Sequence, residues 1–312
     1  MTDSAVLSID VELFSQTPAY RNTEGETDRE GVGLAGIEYL RETLTARGAS
    51  STCFVVSSVA DRYPGPIRDL AAAGFEIGSH THTHRLLSGL DRDERREELT
   101  RSKRILERVT DQRVSGFRAP AFDFEPGHFA DLDAAGYAYD SSVVASRWIP
   151  GWYGGEHDLH EPAPASAVEP EAPDSITELP TSVMPGLRLP LTGTWLRFFG
   201  PRYTILGMNR LAKRGITPVL YVHPWEFVDL PAVDGVPNRV YFRTGDWMRR
   251  AVERILDQSF EFTTAGDVVE RATVGDGTAT AVDDATATAV DDATATAVDD
   301  GTTAAKEDRG QR

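Results

Sequence analysis

Two rhythms alternate through the first 270 residues. Short apolar runs read as strands: "AVLSIDVE" (5–12), "STCFVVS" (51–57), "FEIGSH" (75–80), "VSGFRAP" (114–120), "YAYDSS" (137–142), "SITELPTS" (175–182), "TPVLYVHP" (217–224) and "FEFTTA" (260–265). Between them lie amphipathic stretches. "LAGIEYLRETLTARG" (34–48) carries Leu34, Ile37, Leu40 and Leu44 at helical spacing and stops at Gly48, which suits a helix C-terminus. Further helices are predicted over 64–74, 91–112, 125–136, 202–215 and 244–258. Regular strand–helix alternation implies parallel strands with crossover helices. The predicted fold class is therefore α/β, a closed or nearly closed (β/α) barrel of about seven parallel strands, whose chemistry sits at the C-terminal strand ends. An open doubly wound sheet is the alternative, and the lack of a Gly-rich phosphate loop after the first strand counts against it.

The rhythm stops near residue 270. "GTATAVDDATATAVDDATATAVDD" (277–300) is one eight-residue unit written three times, with a single Val per unit, too little to build a core. The division expected is a catalytic domain over 1–270 and a disordered acidic repeat tail over 271–312. Within the domain, "HEPAPASAVEPEAPDS" (160–175) reads as an exposed loop. "SQTPAYRNTEGETDREG" (15–31) and "RWIPGWYGGEH" (147–157) read as segments that shape substrate choice.

Net charge is −17, from 49 acidic against 32 basic residues, and only Lys103, Lys213 and Lys306 are lysines. Acid in excess, with Arg preferred to Lys, is a halophilic composition, and it argues against nucleic acid as a partner. No run approaches the roughly 18 apolar residues of a membrane helix, so no transmembrane segment is expected. "MTDSAVLSIDVELF" lacks the basic head and apolar run of a secretory signal, so the expected location is cytoplasmic. The lone Cys53, inside "TCFVV", excludes an internal disulfide framework and reads as a small buried hydrophobe.

Ionisable groups gather at the predicted strand ends: Asp10 and Glu12, then "HTHTH" (80–84), Arg118, Asp140 and His223. Two nitrogens on one metal lie about 3 to 4 Å apart. In extended chain His80 and His84 would be ~13 Å apart and could not share an ion. A helical turn brings residues four apart to roughly 5–6 Å between Cβ atoms. The predicted pair is therefore His80 with His84, and His82 is a bystander. Asp10 and Glu12, two apart on one strand, share a face. Like charges so close favour giving one acid to a cation and leaving the other as a base.

These residues resemble the motifs of the polysaccharide deacetylases, carbohydrate esterase family 4. They run in the family's order: "SIDVE" (8–12), "HTHTH" (80–84), "RAP" (118–120), "YDSS" (139–142) and "LYVHPWEF" (220–227). The likeness spans about residues 5–265 and looks closest to an exopolysaccharide- and exosortase-associated subgroup. It implies a distorted (β/α) barrel with a divalent metal, usually Zn²⁺, on His80 and His84. Asp10 would be the general base for the attacking water, oriented by Arg118. The family most often has adjacent aspartates here. In this chain Val11 intervenes, and Glu12 takes the place of the third ligand. His223 would protonate the leaving amine, anchored by Asp140. The backbone of Ala121 would help hold the oxyanion, Phe122 would replace the family's aromatic wall, and Trp225 would line the acetyl pocket.

The resemblance implies a metal-dependent hydrolase that removes an N-acetyl group from an amino sugar of a glycan or a lipid-linked precursor. A deformylase or amidase acting on a related small amide is the alternative enzyme. An inactive glycan-binding barrel, suggested by the unusual "DVE", is the alternative of another class.

Overall fold

In a computed structural model the chain is described over residues 3–23, 31–149 and 154–283. Parts of the two segments expected to shape substrate choice (24–30 and 150–153) and the repeat tail beyond Asp283 lie outside the described residues. The strands are β1 (Asp3–Val11), β2 (Thr52–Val55), β3 (Glu76–Ser79), β4 (Gly116–Phe117), β5 (Tyr139–Asp140), β6 (Ala163–Pro164), β7 (Thr177–Glu178), β8 (Val219–Val222) and β9 (Phe260–Phe262). Among the described residues they form one nine-stranded sheet, ordered β6-β7-β5-β4-β3-β2-β1-β8, with β9 also paired to β1. Among these described strands only β6 and β7 pair antiparallel. The sheet curls into a half-barrel, the incompletely closed form of the expected barrel. The short β6 and the buried Ala165 interrupt what reads in the sequence as an exposed loop over 160–175.

Strand alternation sorts the residues of β1. Ala5, Leu7, Ile9 and Val11 join the main core with Ile37, Leu40 and Leu44 of the helix Leu34–Thr45. Val6 joins a smaller cluster with Phe54 of β2 and Val219 of β8. Successive side chains of a strand point to opposite faces, so Ser8 and Asp10 share the face of Val6. Each large aliphatic side chain sealed in this way contributes roughly 1.5–3 kcal/mol, enough in sum to hold polar groups on the other face. Cys53 lies in the main core, and burial holds its thiol above its ordinary value, which makes it unreactive.

The helix Leu34–Thr45 also fixes the loop after β8. A Cβ on Gly36 would sit 1.9 Å from the Pro224 carbonyl oxygen, so only glycine allows this approach. Among the described residues no helix is long and apolar enough to cross a membrane. The chain divides into a unit of residues 1–273 and a unit of residues 274–312. The last helix spans Ala265–Asp283, so the boundary expected at residue 270 falls within a helix.

Candidate metal centre and catalytic site

Arg118 organises the floor of the half-barrel. It follows β4 directly and is fully buried. Its Nη1 donates to Asp10 Oδ1 at 2.7 Å and to Ser8 Oγ at 2.9 Å. Its Nε and Nη2 donate to the Ser141 carbonyl and hydroxyl. The guanidinium lies 4.3 Å from the centre of the Phe54 ring and 5.3 Å from that of Tyr221. A buried cation needs such full pairing, and the strand alternation described above supplies it.

His80 and His84 converge as expected, with ring centres 4.8 Å apart, but not through a helical turn. The segment after β3 is irregular, and Thr81 (φ 64°) and His84 (φ 60°) adopt left-handed backbone. Such conformations are costly outside glycine and persist only where the surroundings over-determine them. Here Glu98 Oε2 accepts from the His82 and Thr83 amides, and Oε1 accepts from the Thr83 hydroxyl. Arg21 donates to the Thr83 and His84 carbonyls from the other side. His82 Nδ1 meets the Ser57 hydroxyl at 2.9 Å, and His82 is not among the residues grouped at the candidate metal centre.

Glu12, His80 and His84 each place a ligand atom within 4.8 Å of the others, and all three are buried. The tautomers follow from the carbonyls behind the rings. His80 Nδ1 lies 2.7 Å from the Arg118 carbonyl, and His84 Nδ1 lies 3.0 Å from the Gln16 carbonyl. A carbonyl only accepts, so each Nδ1 carries hydrogen and, in the neutral ring, each Nε2 presents a lone pair. Burial pushes His80 down to about 4, which keeps it neutral at pH 7. Burial would raise the Glu12 carboxyl, but the facing imidazoles, His84 first and then His223, outweigh it and hold it well below the usual carboxylate range. Trp225 Nε1 donates to Glu12 Oε1 at 3.0 Å. Glu12 Oε2 is buried without a hydrogen-bond donor, 2.7 Å from His84 Nε2. Facing lone pairs with one orphaned carboxylate oxygen form a donor set that fits a divalent cation.

His223 lies on the same rim. Asp140, expected to anchor it, does not: its Oδ1 accepts from Ser142, and its Oδ2 lies 3.4 Å from His128 Nε2. The sheet register explains this, because Asp140 pairs with Glu178 of β7, away from β8. The partner of His223 is Glu226, three residues on. Its Oε2 accepts from the His223 amide at 2.9 Å and lies 3.3 Å from Nδ1. Arg197 Nε stands 2.8 Å from Glu226 Oε1. A Cβ on Gly193 would fall 2.1 Å from Glu226 Oε2, so glycine is needed there for the carboxylate to fit. Burial alone would lower His223, but the Glu226 hydrogen bond and the charges of Glu12, Glu226 and Asp10 hold it above its ordinary value. Only the His-x-x-Glu spacing marks Glu226 in the sequence, and nothing local marks Arg197.

Asp140 belongs instead to a second buried acid pair, with Glu178. Burial, then the neighbouring Asp140, raises Glu178 well above its ordinary 4.5. The folded state thus binds that proton more tightly than the unfolded chain. This contributes stability that is full below pH 4.5 and is lost as pH rises to the folded value. Glu178→Gln is expected to flatten that fall. Thermal midpoints measured against pH test this, and parallel curves for the variant and the parent would contradict it.

A cavity of about 530 Å³ opens over Asp10, Glu12, His80, His84 and His223. Ala121, Phe122, Tyr221 and Trp225 also line it. Ala121 (φ 53°) and Phe122 (φ 59°) are left-handed, and the Ala121 N–H has no acceptor among the described residues. The Phe122 ring packs edge-on against Tyr221, and Trp225 stacks on His223.

Residues 35–139 match the model of the polysaccharide deacetylase family, and residues 141–270 match a domain of unknown function, DUF3473. A peptidoglycan-N-acetylglucosamine deacetylase of Bacillus cereus is 25% identical over 91 residues, 29% of this chain and 33% of that protein. A peptidoglycan deacetylase-like protein of Gibberella zeae is 26% identical over 114 residues, 36% of this chain and 34% of that protein. The chain thus spans about a third of the length of the curated relatives it matches. A crystal structure from Mycobacterium smegmatis, of a protein proposed to be a polysaccharide deacetylase, shares the fold. Its TM-score is 0.63 at 24% identity, over 88% of this chain and 91% of that one. The M. smegmatis structure shows the fold, and the family match with the two curated relatives shows that residues 35–139 belong to the polysaccharide deacetylase family.

Proposed function

We propose that this protein is a metal-dependent hydrolase that removes an N-acetyl group from an amino sugar of a glycan or a lipid-linked glycan precursor, within the exopolysaccharide-associated branch of its family. The observation that carries this reading is the orphaned Glu12 Oε2 facing His84 Nε2, with His80 beside them, in the cavity that Asp10 and His223 also line. A divalent cation held there, Zn²⁺ in this reading, supplies Lewis acidity toward the amide carbonyl and acidifies water.

The chain's own residues do the rest. The Asp10 carboxylate, held at Oδ1 by Arg118, takes the proton of the attacking water. The free Ala121 N–H is a donor for the developing oxyanion. An amine leaves only when protonated, and His223 Nε2 delivers that proton because Glu226 keeps the imidazolium favoured. The cavity volume lies within the range of small-molecule pockets, and its aromatic walls suit the faces of a pyranose. Residues 1–270 form the catalytic domain in this reading. Deleting residues 284–312 is expected to leave turnover and thermal midpoint unchanged, and a large drop in either would make the tail part of the working enzyme.

The test is acetate release from N-acetylglucosamine oligomers by protein stripped with chelator and reloaded with Zn²⁺. Metal-dependent acetate release supports the reading. Formate release from formylated substrates alone would make it a deformylase. Tight metal binding without turnover of any acylated sugar would make it a glycan-binding barrel.

A further inference from the structure

The acidity of this chain is unevenly spread. From residue 179 to residue 225 there is no Asp or Glu, while there are six Arg and Lys residues, in a protein of net charge −17. Exposed apolar side chains concentrate in the same stretch. Among the described residues eight large hydrophobics are exposed, and Leu187, Phe198, Phe199 and Leu206 are four of them. A fifth, Phe242, stacks on Phe198 with ring centres 5.8 Å apart.

The helix Pro201–Ala212 arranges these groups in a stripe. Arg202, Leu206 and Arg210 are spaced four apart, which places them along one face, and all three are exposed. Phe199 precedes the stripe, and Lys213 and Arg214 continue the exposed cations beyond it. None of these four cations is ion-paired with an acidic side chain among the described residues. Phe198 also lines the catalytic cavity, as do Leu86 and Arg239, so this face borders the cavity mouth.

We propose that this face docks on an anionic lipid surface and thereby presents the cavity to membrane-borne substrate. Exposed cations without acidic partners, interleaved with exposed aromatic and aliphatic side chains, match the boundary between headgroups and acyl chains. There the rings and Leu206 enter the apolar layer while the long cationic side chains reach lipid phosphates. The charge of the whole chain would repel an anionic leaflet, and the acid-free stretch is where that repulsion is absent. A nucleic acid would match the cations but not the exposed Phe199 and Leu206.

The experiment is co-sedimentation of the full chain with vesicles. One set is phosphatidylcholine alone and another contains roughly equal parts phosphatidylglycerol, each in about 0.15 M and about 1 M salt. The expected result is sedimentation with the anionic vesicles only, weakened at the higher salt. Two double variants, Arg202→Glu with Arg210→Glu and Phe199→Ser with Leu206→Ser, should each bind at least about tenfold less. Both should keep parental thermal midpoints and parental turnover of soluble oligomers. Equal binding to both lipids, no binding to either, or undiminished binding by the variants would overturn the proposal. So would a dimer of the parent that the same substitutions dissolve, since the face would then join copies of this chain. Vesicle binding does not depend on catalysis, so an inactive protein that binds anionic vesicles would sink the hydrolase reading and leave this one standing.

Discussion

His84→Asn is expected to lose the divalent ion and to cut turnover at least about a thousandfold, the scale of removing a metal's acidifying effect on water. Asparagine is the informative replacement. His84 has φ 60°, and Asn tolerates left-handed backbone where Ala would add strain. The loop braced by Glu98 and Arg21 should then keep its shape, and the thermal midpoint of the metal-free variant should match that of the metal-free parent. His82→Ala should retain metal, because its Nδ1 faces Ser57. Metal content per chain after dialysis separates the two. Full occupancy in His84→Asn, or loss of metal in His82→Ala, would remove the basis of the proposed centre. Glu12→Gln gives an independent check. Trp225 can still hydrogen-bond the amide oxygen, but the charge that faces the two imidazoles is gone.

Much of this centre is legible in the sequence because strand periodicity is local. Ser8 and Asp10 share a face of β1 for the same reason that Leu7 and Ile9 share the other, and the apolar set reveals the polar one. The meeting of His80 with His84 is legible as an outcome, and its mechanism is not. A helical turn is the local way to join residues four apart. The left-handed residues that replace it are held by Glu98, Arg21 and the Gln16 carbonyl, none of which adjoins the motif in sequence. The family order suggests Asp140 for His223, but the pairing of β5 with β7 turns Asp140 toward Glu178. Glu226 was within reach of a local reading, since residues three apart on one turn are neighbours. Arg197 was not. Its only trace is Gly193, whose missing Cβ makes room for the carboxylate, and a glycine at the start of a helix carries no such message alone.

Glu226→Gln should lower kcat by about a hundredfold while KM stays within a factor of about two, since general acid catalysis contributes on the order of 10²–10⁴. The amide keeps the size of the side chain and can still accept from the His223 amide, so the ring should stay in place. What is lost is the charge that favours the protonated imidazole. With His223 as the proposed proton donor, activity falls as pH rises through its pKa. With Glu226 neutral that pKa drops, and the alkaline limb of kcat moves to lower pH. Glu226→Asp should restore the position of that limb in part, since it returns the charge at a greater distance. Arg197→Met separates charge from scaffold. It removes the cation that holds Glu226 and leaves the buried carboxylate with His223 as its remaining partner, a loss of up to about 3–5 kcal/mol for a pair sealed from water. A purely structural role for Glu226 predicts lower thermal midpoints with an unmoved pH profile. A role in poising His223 predicts a moved profile in Glu226→Gln even at temperatures where the variant is fully folded. Were the alkaline limb of Glu226→Gln to coincide with that of the parent, His223 would not be the acid, and the proton for the leaving nitrogen would have to come from another group on the rim.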